Sequence, residues 1–161
     1  MEALLVWLES SALGQVMRTS GVWSYGVVNL VHIIGIATLF GSVLALDLRL
    51  LGVWRRVPLA ALATPTVTLA ACGFVAAVGS GLALITTNAT EYVGNPFLLI
   101  KFGAIGLGVL NVITTQFLPA WRRRAAEPPA AREAAALKII GGTSLACWLT
   151  AVAAGRMIGY W

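Results

Sequence analysis

The sequence predicts an all-α integral membrane protein, a four-helix bundle preceded by an interfacial amphipathic helix, with the N-terminus and the C-terminus outside. Three observations predict it. Hydrophobic residues make up 59% of the 161 residues and charged residues 11%, with a mean hydropathy of +0.88, whereas a soluble domain is typically about a quarter charged. Four apolar stretches each approach or exceed the roughly 20 residues that cross a bilayer. The arginines gather in alternate loops. This length accommodates four spans of about 20–25 residues and short loops, so a single membrane domain over 1–161 is expected.

The same composition narrows the function classes. The formal charge of +5 comes mostly from arginines in two loops, a topology signal, and no RNA- or DNA-binding motif accompanies it. Cys72 and Cys147 stand alone in apolar segments without CxxC or Cys/His spacing, so both read as small hydrophobes. The opening MEALLVWLESS carries two acids and no basic stretch, and is expected to remain on the mature protein.

In chain order, residues 2–17 place Leu4, Leu5, Leu8, Ala12, Leu13 and Val16 on one side at helical spacing, with Glu2, Glu9 and Gln15 largely opposite. That is too short and too polar to span, and reads as a helix lying in the interface, anchored by Trp7. Ser20 and Gly21 break it before the first span, about 22–46. The second span, about 65–86, opens at Pro65, whose missing N–H costs nothing in a first helical turn. The third, about 97–117, is opened by Pro96 and stopped by Pro119. WRRRAAEPPAAREAAA then reads as a solvated loop with at most a helical turn, and the fourth span covers about 137–160.

Charge counting over short loops sets the orientation. Arg49, Arg55 and Arg56 follow the first span and Arg122, Arg123, Arg124 and Arg132 the third, whereas NATEYVGN after the second has no base. The two basic loops are expected in the cytoplasm, in a multi-pass protein of the bacterial plasma (inner) membrane. The aromatic residues agree: Trp7, Trp23, Tyr25, Tyr92, Tyr160 and Trp161 fall at the outer level and Trp54 and Trp121 at the inner one, with Trp148 deep.

Polar groups inside the spans are the candidate site. His32, the only histidine, lies about 15 Å below the outer end of the first span, near the midplane, with Asn29 one turn above it on the same face. Intramembrane ionisable residues point to function or to a specific partner. For His32 three roles stay open: a hydrogen bond between helices, for instance to Asn111; ligation of haem or a metal; and proton relay. Lys101 is either a snorkelling anchor or a reactive amine. Arg156 could meet a carboxylate such as a haem propionate. Asp47 and Arg49 read as a pair at the cytoplasmic boundary. Stripes of small residues are expected to meet in the bundle interior: Gly35, Thr38, Ser42 and Ala45; Gly73, Ala77 and Ser80; Lys101, Ala104, Gly108, Asn111 and Thr115; and Thr143, Cys147, Thr150 and Ala154.

YGVVNLVHIIGIATLFGSVLALDLRLLG and NPFLLIKFGAIGLGVLN, above all their DLRLLG and NPFLLIK elements, resemble a group of uncharacterised bacterial four-helix membrane proteins, a domain-of-unknown-function family, over nearly the whole chain. More distantly the pattern is similar to HemJ-type protoporphyrinogen oxidases and to the membrane domain of copper-resistance D proteins. His32, Gly41, Arg49 and Lys101 match HemJ-type positions approximately, and that resemblance implies a porphyrin or haem b site. The HemJ type carries a further histidine about ten residues after the lysine, where this chain has Asn111. A bis-histidine haem within one subunit is therefore excluded.

The expected function is haem or porphyrin binding in the bundle interior, with His32 as ligand and Asn29, Lys101, Asn111 and Arg156 around it, serving redox or porphyrin handling. No reaction is assigned. Two alternatives are a non-catalytic accessory subunit of a larger membrane complex, and metal or small-solute transport as an oligomer. The expected partners are the lipid bilayer together with a second copy or a larger membrane complex, and no nucleic acid.

Overall fold

The computed structural model describes residues 2–125 and 129–161. Among these no strand occurs, and seven α-helices are joined by short turns: α1 (Glu2–Ser10), α2 (Ala12–Thr19), α3 (Gly21–Leu51), α4 (Leu59–Ile85), α5 (Pro96–Phe117), α6 (Pro119–Arg122) and α7 (Ala131–Met157), with single 3₁₀ turns at Ala89–Tyr92 and Ile158–Tyr160. The helices α3, α4, α5 and α7 are long and apolar enough to cross a membrane, α7 together with the turn that follows it. The protein is a multi-pass all-α membrane protein with a four-helix core.

The N-terminal segment differs from the single interfacial helix expected over 2–17. It breaks at Ser11, whose hydroxyl accepts the Gly14 amide and caps α2, as short hydroxyl side chains do at helix starts. The two short helices fold back over one end of the bundle, α1 against the 3₁₀ turn 89–92 and α2 against α3 and α4. Glu9 accepts both the amide and the hydroxyl of Thr90 at 2.7 Å, and Arg18 donates to the carbonyls of Thr86, Thr87 and Glu9. The Thr90 amide and hydroxyl hold the Glu9 carboxyl below the usual range. These polar links join buried Leu5, Met17 and Ala89 in tying the cap down.

Two helix starts also move. Helix α4 begins six residues before Pro65, which becomes an internal residue. The preceding LAALAT is rich in good helix formers, and the cost of proline is confined to the unsatisfied Ala61 carbonyl and a local ring clash. Helix α7 starts at Ala131 inside the stretch read as loop, because AREAAA has strong helix propensity despite its charge. Glu133 accepts the Ala130 amide and pairs with Arg123 at 2.6 Å. The middle of that stretch, 126–128, lies outside the described residues.

Packing joins α4 to α3, α3 to α7 and α7 to α5, while α4 and α5 make no substantial backbone contact and face one another across a gap. Small residues bring α3 and α4 together. A Cβ on Gly35 would stand 2.7 Å from the Ala77 amide nitrogen, and one on Gly73 2.5 Å from that of Leu39, so only glycine fits this seam. At the end where the arginine loops lie, Leu50, Ala63, Ala120, Trp121 and Leu137 form one apolar cluster; further along, Leu39, Val43 and Trp148 form a second. Both termini and the 86–95 loop share the opposite end, as the links Arg18–Thr86 and Asn95–Ile158 show. We call the two ends the arginine end and the terminal end.

The stripes expected on α3, α4 and α5 are buried or half-buried, but the fourth is not the inward face of α7. Thr143 and Thr150 are exposed; of the expected stripe Ala154 is buried, and Leu137, Gly141, Ser144, Trp148 and Ala151 are buried with it. Trp148 sets this phase: its indole lies over Gly108 and meets Phe74 edge-on, ring centroids 6.1 Å apart at 81°. Burying one large ring outweighs aligning several small residues. Cys72, read as a buried hydrophobe, is exposed on α4, and Cys147 is half-buried.

Candidate functional site

His32 sits on the α3–α4 seam. Its Nδ1 is 2.9 Å from the Ala77 carbonyl and 3.1 Å from the Ser80 hydroxyl. A carbonyl can only accept, so Nδ1 carries the proton and donates. Ser80 in turn donates to the Ala76 carbonyl. In the neutral ring this leaves the lone pair on Nε2, and among the described residues no hydrogen bond engages that nitrogen. Gly81 makes room for the ring, since a Cβ there would stand 2.8 Å from His32 Cε1. The contacts at Ala77–Gly81 lie about 6–12 Å below the end of α4 at Ile85. His32 is therefore in the terminal-end part of the bundle.

Lys101 comes to the same level from α5. Its stem and ammonium cross Gly155 of α7, where a Cβ would be 3.7 Å away. Among the described residues the ammonium has no ion-pair or hydrogen-bond partner. Asn29, one turn from His32, is half-buried.

The other two expected site residues do not join them. Asn111, ten residues and so about 15 Å along α5 from Lys101, donates its amide to the Ile140 carbonyl of α7 at 3.1 Å, so it is no partner of His32. Arg156 turns outward on α7 and engages Tyr160, donating to its hydroxyl and stacking over its ring with the guanidinium carbon 4.5 Å from the centroid. His32, Asn29 and Lys101 thus form one group, and Asn111 and Arg156 serve helix contacts of their own. Among the described residues no cluster of three or more His, Cys, Asp or Glu is placed to hold a metal ion.

A second polar place escaped the sequence reading. Asp47 is 3% exposed, and among the described residues its Oδ2 is buried without a hydrogen-bond partner. The expected Asp47–Arg49 pair does not form. Residues two apart point to different sides of a helix, and Arg49 donates instead to the carbonyls of Val57 and Arg55. Asp47 lines a cleft of about 280 Å³ between α4 and α5, with Trp148, whose indole Nε1 is also buried without an acceptor. The heptad step between Phe40 and Asp47 along one face of α3 was the available signal; the charge of neighbouring Arg49 masked it.

No curated protein and no solved structure matches this chain. The model of a family of unknown function, DUF6644, matches residues 4–161, and the chain belongs to that family.

Proposed function

We propose that this protein binds haem b or a related porphyrin in a bacterial inner membrane, with His32 Nε2 as ligand, and acts in redox or porphyrin handling. One observation carries the reading: His32 is held by Nδ1 on a backbone carbonyl, so that Nε2 alone is presented. A second-site hydrogen bond of this kind fixes the tautomer and orientation of metal-ligating histidines. The unpartnered Lys101 ammonium at the same level supplies the charge that an acidic side group of a porphyrin requires.

The glycine seam between α3 and α4 is too tight to admit a macrocycle. The ring would approach His32 from the α5–α7 side or from a second copy of the chain, which would also provide any second histidine. The test is titration of the purified protein with haem b in detergent, followed by absorption, for wild type, His32→Ala and Lys101→Ala. Saturable binding lost in His32→Ala and weakened in Lys101→Ala is the expected result. Identical titrations for wild type and His32→Ala would refute it. A protein that takes up no haem and co-purifies with larger membrane chains would indicate the accessory-subunit role, and metal-dependent uptake into proteoliposomes the transport role.

A further inference from the structure

Away from His32, the cleft between α4 and α5 has a different chemistry. It lies in the arginine-end half of the bundle, floored by α3 and α7, with walls that are almost wholly apolar. Because α4 and α5 do not pack together, it faces sideways, and Val67, Val112 and Ile113 along it are exposed on helices that read as membrane spans. It is therefore reached from the bilayer. Its volume of about 280 Å³ is near the lower end for small-molecule sites, roughly 300–1,000 Å³.

Asp47 is the only ionisable residue among those lining it. Its carboxyl is buried and, among the described residues, has an oxygen without a partner; Arg49, two residues on, donates to the carbonyls of Val57 and Arg55 instead. A carboxylate buried among apolar side chains is strongly unfavourable unless it takes up a proton or a positive charge meets it, and a cation seated beside it favours the charged form. Phe74 and Trp148 line the same space, and aromatic faces also attract cations, while the Trp121 ring beside them already carries the Arg124 guanidinium 4.4 Å from its centroid.

From this charge complementarity we infer that the α4–α5 cleft binds a lipophilic ammonium ion, its apolar part in the cleft and its charged head paired with Asp47. An alcohol of the same chain gains the apolar contact and at most a hydrogen bond from its neutral hydroxyl to Oδ2, without the charge pair. A carboxylate of the same chain meets Asp47 as a like charge.

The experiment uses the full chain in lipid nanodiscs at neutral pH, with n-decylamine, n-decanol and n-decanoate as probes and tryptophan fluorescence as readout. The amine is expected to bind at least about tenfold more tightly than the alcohol, a ratio typical of one added ion pair in a desolvated site, and decanoate most weakly. Asp47→Asn brings the amine down to the level of the alcohol and leaves the alcohol unchanged. Ala70→Phe, which fills the cleft from α4 and keeps Asp47, weakens amine and alcohol together. Equal affinities for amine and alcohol in the wild type would overturn the inference. So would an Asp47→Asn protein that keeps its amine affinity, or an Ala70→Phe protein that binds both probes as the wild type does. Should Asp47→Asn fail to fold, the wild-type probe series and Ala70→Phe still decide.

Discussion

Substituting Gly73 by alanine tests the α3–α4 seam on which the position of His32 depends. The added Cβ would stand 2.5 Å from the Leu39 nitrogen, 2.8 Å from the Gly35 oxygen and 3.0 Å from Leu39 Cα. All three are backbone atoms, so no side chain can swing aside. Restoring ordinary contact, which begins at 3.4 Å, requires α3 and α4 to part locally by about 1 Å, and overpacking of this kind costs about 1–3 kcal/mol. The same displacement stretches the 2.9 Å contact from His32 Nδ1 to the Ala77 carbonyl, one helical turn further along α4. Gly103→Ala is the control. A Cβ at Gly103 meets nothing within 4 Å, and replacing a mid-helix glycine by alanine is favourable by roughly 0.5–1 kcal/mol. Reversible unfolding in mixed micelles titrated with sodium dodecyl sulfate measures both. Gly73→Ala is expected to lower stability and Gly103→Ala to leave it unchanged or raise it. Equal effects, or a neutral Gly73→Ala, would refute the close-packed seam.

Trp148→Ala removes the ring that fills the space between Gly108 and Phe74, and should cost about 3–5 kcal/mol in the same unfolding assay, with Trp148→Phe losing clearly less. Asn111→Leu deletes the amide bond to the Ile140 carbonyl, and a loss of about 0.5–1.5 kcal/mol is expected, with no effect on haem uptake. The N-terminal cap should respond to acid. The Glu9 carboxyl is held below its usual range by Thr90, so its stabilisation is present above the ordinary glutamate value and is lost as pH falls through the lowered folded-state value. Hydrogen exchange at the Thr90 amide should therefore accelerate, relative to a neighbouring loop amide, only in acid. In Glu9→Gln that pH dependence should vanish, and its persistence there would assign the effect to another group.

The fold class was legible because spanning a bilayer leaves few options: four long apolar stretches and two arginine loops identify the helices and the end each loop shares. The small stripes of α3, α4 and α5 were legible for a related reason, since close backbone approach needs small residues. The fourth stripe misled because Trp148 outweighs the small residues of α7 in deciding which side turns inward. Pro65 and the AREAAA segment were misread where local helix propensity overrode a local breaking or solvation signal. In the candidate site, the residue types of His32 and Lys101 were readable, but not the Ala77 carbonyl that orients the ring. A backbone acceptor on another helix leaves no mark in side-chain identity. Asp47 was hidden by its neighbour, because sequence adjacency to Arg49 suggested a pair that helix geometry forbids.

The central claim, that His32 presents Nε2 to a haem or porphyrin, is tested most directly by spectra of protein purified from cells grown with a haem precursor. Oxidised and dithionite-reduced absorption would be recorded for wild type and His32→Ala, with folding checked by circular dichroism. The account predicts a reduced-minus-oxidised haem b difference in the wild type that is absent from a folded His32→Ala protein. Featureless spectra in both, or the same haem signal in both, would contradict it and leave His32 as a hydrogen-bonding group of the α3–α4 seam.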